Sequence, residues 1–170
     1  MRKVLFIGSG KSYRSKFAEA FFNNRGKLEC LFMLNTHGIG RYPSSRYPHA
    51  YSSGIDRKKP TKKLNKVSVF ACEKDNNLMY GSDCYEHFHR NLTEKDFAHC
   101  DYIVAMNESK LKKYLDKHFS DFSDKIEYWD IPEKKKVSEK VVELLKKKVN
   151  ELYDLASQKG KKHKKDDVKK

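Results

Sequence analysis

The residues Gly8-Ser9-Gly10-Lys11-Ser12-Tyr13-Arg14-Ser15 follow an apolar run from Lys3 to Ile7 and precede Phe17, Ala18, Phe21 and Phe22 at helical spacing. A buried strand, a loop of small residues and a helix point the unsatisfied N–H groups of the first helical turn into the loop, where an anion is the natural occupant. Arg14 brings a planar fork able to grip two oxygens, and Lys11 brings a point charge. Ser9, Gly10, Lys11, Ser12, Tyr13, Arg14 and Ser15 are therefore the candidate phosphate-binding residues. Gly10-Lys11-Ser12 imitates a Walker A loop, but that loop needs another glycine five positions before Gly10, where this chain has Leu5 inside the strand.

In this register Ile7-Gly8-Ser9-Gly10-Lys11-Ser12-Tyr13-Arg14-Ser15-Lys16-Phe17-Ala18-Glu19 resembles the loop of the low-molecular-weight protein tyrosine phosphatases and their arsenate-reductase-like relatives. That loop runs Val-Cys-x-Gly-Asn-x-Cys-Arg-Ser-Pro-x-Ala-Glu, and Gly10, Arg14, Ser15, Ala18 and Glu19 match it. Three further segments are similar in the same order. His87 to Asp96 resembles the family's His-x-x-Arg-x-Leu-Thr-x-x-Asp, Asp101 to Asn107 its Asp-x-Ile-x-x-Met-Asp strand, and Trp129-Asp130-Ile131-Pro132-Glu133-Lys134 the Trp-Asp-Ile-Pro-Asp-Pro of some relatives. Residues 36–82 have no clear counterpart.

The departures fall on the residues that would do chemistry. In the family the loop cysteine attacks phosphorus as a thiolate, and here that position is Gly8, which has no side chain. Ser9 and Ser12 are poor substitutes, since a hydroxyl needs an adjacent base and the loop offers only Lys11 and Arg14. The aspartate that would act as general acid aligns with Glu133, whose extra methylene moves the carboxyl by about one bond length. Asp130 is the nearby alternative, and both carboxylates also read as plain surface charge. Lys11 stands for an asparagine that favours left-handed backbone, and Asn107 for an aspartate. The resemblance thus implies a pseudophosphatase that holds a phosphate or phosphorylated ligand without turning it over. The candidate catalytic set is Gly8, as the position of the lost cysteine, with Arg14, Asp130 and Glu133; no metal and no cofactor is expected.

The elements that must position these residues alternate. Strands are expected over Lys3 to Ile7, Glu29 to Leu34, Asp101 to Met106 and Lys125 to Trp129. A helix is expected over Glu108 to His118, and a long amphipathic one is marked by Val137, Val141, Leu144, Leu145, Val149, Leu152 and Leu155. Alternation of this kind predicts an α/β fold of three layers, a four-stranded parallel sheet with helices on both faces. From Asn35 to Pro60 the composition reads as loop and as a candidate cover for the anion site. One domain is expected over 1–157, with a Lys-rich disordered tail over 158–170.

Charge and cysteine usage bound the partners. Lys and Arg outnumber Asp and Glu by 37 to 23, a net charge of +14, of which the stretch from Lys159 to Lys170 supplies +5. Such a field favours phosphorylated ligands and also admits nucleic acid, so a nucleic-acid-associated basic protein is one alternative reading. An active tyrosine phosphatase inactivated by substitution is another. Cysteines at 30, 72, 84 and 100 show no paired spacing, and no apolar run reaches bilayer length, so a reduced cytoplasmic setting without a membrane partner is expected. Cys84 with His87 and His89 lacks a second cluster to complete a zinc site, and Cys72 and Cys100 read as small core residues.

Overall fold

The computed structural model describes residues 2–9, 13–37, 48–55, 91–132 and 138–162. Within them four parallel strands form one sheet in the order β2-β1-β3-β4. These are β1 (Lys3–Gly8), β2 (His49–Gly54), β3 (Tyr102–Ala105) and β4 (Ile126–Tyr128). The helices are α1 (Tyr13–His37), α2 (Glu94–Ala98), α3 (Glu108–His118) and α4 (Glu139–Lys162), and a 3₁₀ segment over Ser120–Lys125 leads into β4. None of the described helices is long and apolar enough to cross a membrane.

The strand β1 organises the core because it is apolar on both faces, the pattern of a parallel strand covered above and below. Val4, Leu5, Phe6 and Ile7 are all fully buried. Their side chains alternate between two clusters, as the period of a strand requires. Val4 and Phe6 pack with Phe17 and Phe22 of α1 and with Val141, Leu145, Val149 and Leu152 of α4. Leu5 and Ile7 pack with Phe97 of α2 and with Leu111 and Leu115 of α3. The three expected layers are therefore present, with α1 and α4 on one face and α2 and α3 on the other.

Aromatic rings hold the first cluster in register. Phe6 meets Phe22 with centroids 6.2 Å apart and Trp129 at 5.6 Å, while Phe22 meets Tyr153 of α4 edge-on at 5.0 Å. The outer seam between α1 and α4 is polar. Arg25 lies 4.7 Å over the Tyr153 ring and donates to Asn150 Oδ1 at 2.8 Å and Asp154 Oδ1 at 2.5 Å.

Two expectations fail here for identifiable reasons. Glu29 to Leu34 is not a strand, because α1 continues through it to His37. A five-residue apolar run, Cys30 to Leu34, does not distinguish strand from helix by period alone, and Leu, Met and Glu favour helix once one is under way. The missing strand is β2, which lies inside the stretch read as loop. Its buried positions include Ser52 and Ser53, so the apolar alternation that marks a strand is absent. The helix α4 also extends to Lys162, into the segment expected to be a disordered tail. Residues 163–170 lie outside the described residues, as do 38–47 and 56–60 of the expected cover.

The edge strand β2 is held to α1 by an amide. Asn23 donates from Nδ2 to the Ala50 carbonyl at 3.0 Å and accepts from the Ala50 N–H on Oδ1 at 2.8 Å. Replacement by Asn23→Leu leaves both buried main-chain groups without this partner and is expected to cost about 2 kcal/mol, measured by urea unfolding.

On the other side of β1, at the same amino-terminal end of the sheet, Asp101 clamps the start of that strand, accepting from Lys3 N at 2.8 Å and from Arg2 Nη1 at 2.6 Å. Partial burial works against its charge, but the Lys3 amide and the Arg2 guanidinium outweigh it and lower the Asp101 pKa. A carboxylate lowered on folding contributes stability above its unfolded pKa and loses it as the pH falls through the folded one. Asp101→Asn should therefore flatten the fall of stability below about pH 4 and lower stability at neutral pH, read by thermal melts across pH.

Candidate functional site

The chain passes from β1 to β2 on one side and later returns to β3 on the other. The helices that follow β1 and β3 consequently leave on opposite faces, α1 above one and α3 above the other. In open parallel sheets the crevice at the carboxyl ends of two such strands is where ligands bind. Gly8 and Ser9, the first turn of α1, Met106 and Asn107, and the segment Trp129 to Ile131 converge there.

Main-chain hydrogen bonds fix these walls to one another. The Met106 N–H donates to the Ile7 carbonyl at 3.0 Å, the Ile131 N–H to the Met106 carbonyl at 2.8 Å, and the Trp129 N–H to the Ala105 carbonyl at 2.9 Å. Gly8 ends β1 opposite Gly54 of β2 and accepts from the Ile55 N–H at 3.2 Å. Arg14, in the first turn of α1, is only 1% exposed, and its Nη1 donates to the Ile131 carbonyl. The guanidinium is thereby tied across the crevice to the segment that follows β4.

The residues singled out from sequence divide as follows. Gly8 is buried, Ser9 is half-buried, Tyr13 begins α1, and Ser15 is buried one position beyond Arg14. Asp130 is exposed and has φ 52°, in the left-handed region. Gly10, Lys11, Ser12 and Glu133 lie outside the described residues, as do Cys72, Cys84, His87 and His89. Cys100 is half-buried against the second cluster. No group of three His, Cys, Asp or Glu among the described residues is placed to hold a metal ion.

Three motif residues have evident structural work. Asn107 caps α3, its side chain accepting from Lys110 N at 3.0 Å, and asparagine serves that position as well as aspartate does. Thr93 and Asp96 form a capping box at the start of α2, with the Thr93 N–H donating to Asp96 Oδ2 at 2.9 Å.

Sequence reasoning missed a buried ion pair under the crevice. Lys16 Nζ donates to Glu19 Oε2 at 2.7 Å, and the Ser52 hydroxyl of β2 donates to the same oxygen at 2.5 Å. Both charged side chains are almost wholly buried, 3% and 4% exposed. The signal was a Lys and a Glu three apart on a helix, the spacing that brings side chains together. At the opposite edge of the sheet, burial first and Asp116 second raise the Tyr128 pKa.

The chain is a three-layer parallel α/β domain with a glycine at the end of its central strand and a buried arginine in the following helical turn. No protein-family model matches the chain, and no curated protein is detectably similar in sequence. Solved structures are similar in fold. The low-molecular-weight protein tyrosine phosphatase of T. tengcongensis superposes with a TM-score of 0.64 at 23% identity, over 94% of this chain and 99% of that one. Vibrio vulnificus Wzb, solved in complex with benzylphosphonate, gives 0.60 at 17% identity over 93% and 98%. The YwlE arginine phosphatase of Geobacillus stearothermophilus gives 0.55 at 15% identity over 99% and 96%. The chain thus has the fold of the low-molecular-weight protein tyrosine phosphatases along most of its length.

The buried pair generates a test of its own. Removing one partner of a buried pair strands the other charge, which typically costs about 3 kcal/mol or more, whereas apolar replacement of both is far less harmful. Lys16→Met should therefore destabilise the chain strongly in urea unfolding, and the double variant Lys16→Met with Glu19→Leu should recover a large part of the loss.

Proposed function

We propose that this chain is a pseudophosphatase, a phosphatase-like fold that binds a phosphate group through residues 8–15 and does not hydrolyse it. The observation that carries this reading is the pairing of Gly8, which ends β1 with no side chain to attack phosphorus, with Arg14, buried six residues later at the start of α1. A cation sits unfavourably at the positive end of a helix dipole, and the first turn of α1 holds Arg14 and Lys16 with no acidic residue. A dianion at that end reverses the balance. Loss of the thiolate also removes a negative charge that would repel such a ligand.

The ligand class follows from the relatives. One is a tyrosine phosphatase by name, one an arginine phosphatase, and one was solved holding benzylphosphonate. A phosphorylated protein side chain is the ligand class these have in common with a cradle built around one arginine. The basic surface favours such a partner over a neutral one, and it brings ligands in by long-range attraction that salt weakens.

The purified chain is expected to release no phosphate from p-nitrophenyl phosphate, while inorganic phosphate raises its melting temperature and Arg14→Ala abolishes that rise. Gly8→Cys is expected to introduce hydrolysis at least 100-fold above the parent chain, because a placed thiolate restores the covalent step. Turnover by the parent chain that disappears in Arg14→Ala would instead make it a working phosphatase of another mechanism.

A further inference from the structure

The backbone around Asp130 departs from a regular ladder. The N–H groups of Trp129 and Ile131 donate to Ala105 and Met106, which are consecutive residues. In a regular parallel ladder the N–H two residues after Trp129 would reach the carbonyl two residues after Ala105, that of Asn107. One residue on this side is therefore surplus, a bulge, and the surplus residue is Asp130. Among the described non-glycine residues it alone has a positive φ, at 52°. The bulge has a definite product: the carbonyl of the next residue, Ile131, accepts from Arg14 Nη1. The Ile131 side chain meanwhile stays fully buried in the cluster shared by α1 and α4.

We infer that Asp130 is a positioning residue for the anion site, acting through its backbone and not through its carboxylate. By adopting the left-handed conformation it forms the bulge that turns the Ile131 carbonyl toward Arg14 and sets the plane of the guanidinium. Aspartate and asparagine enter this region more readily than other residues with a β-carbon. The inference rests on the phosphate-binding reading above, and it replaces a role as general acid for Asp130 with a conformational one.

Three variants of the full chain separate backbone from carboxylate. Asp130→Asn and Asp130→Gly remove the charge and keep access to positive φ, whereas Asp130→Ala removes both. Affinity for inorganic phosphate by calorimetry is expected to be no weaker than the parent's in the Asn variant, close to it in the Gly variant, and roughly fivefold weaker in the Ala variant. The guanidinium resonances of Arg14, followed by nitrogen NMR without ligand, should stay sharp in the Asn variant and broaden in the Ala variant. Equal affinities in the Ala and Asn variants overturn the inference, and so does a loss in the Asn variant as large as that in the Ala variant, which would assign the effect to the carboxylate. If the Ala variant does not fold, a Gly variant weakened fivefold or more overturns the inference and one that matches the parent supports it. If the parent chain binds no phosphate, the pseudophosphatase reading fails alone. The Arg14 resonances then decide the positioning role: broadening confined to the Ala variant upholds it, and identical spectra in all variants refute it.

Discussion

Burial of β1 on both faces is the constraint from which the rest of the architecture follows. A strand with no exposed side has to be covered twice, so the helices must distribute themselves above and below, and the strands beside it must run parallel to allow the crossovers. Phe6 and Ile7 then point to opposite clusters one residue apart, and the chain emerges from between them at Gly8. The mouth of the sheet is where it is because a central strand sealed along its length can open only at its end.

Electrostatics at that mouth is arranged around positive charge. Lys16 is neutralised inside the protein by Glu19 and Ser52, whereas Arg14, two residues earlier and as deeply buried, is oriented by a neutral carbonyl. The Ile131 carbonyl is one of the groups that orient this guanidinium.

Much of the sheet was legible because it rests on local pattern. The strands beginning at Lys3 and Tyr102 carry continuous apolar runs, and α3 has the bounds its leucines indicated, with Asn107 as a cap that sequence alone treats as a lost aspartate. Where polar residues are buried for a reason that lies elsewhere, the pattern is silent. Ser52 is inside because Glu19, 33 positions earlier, accepts a hydrogen bond from its hydroxyl, and no window on residues 49–54 contains that information. The long α1 was hidden by the opposite ambiguity, an apolar run compatible with either structure. In the site, Arg14 stood out by motif, but its tie to Ile131 spans 117 residues and depends on a bulge that only coordinates reveal.

The amide of Asn23 has an effect beyond the strand that it holds. In a parallel sheet, alternate residues of the outermost strand turn their main-chain donor and acceptor away from the sheet, where another extended chain would dock. At Ala50 both groups are already occupied from within the same molecule, so an arriving segment meets saturated valences near the start of the border. A single side chain on a neighbouring helix in this way discourages growth of the sheet from one molecule into the next.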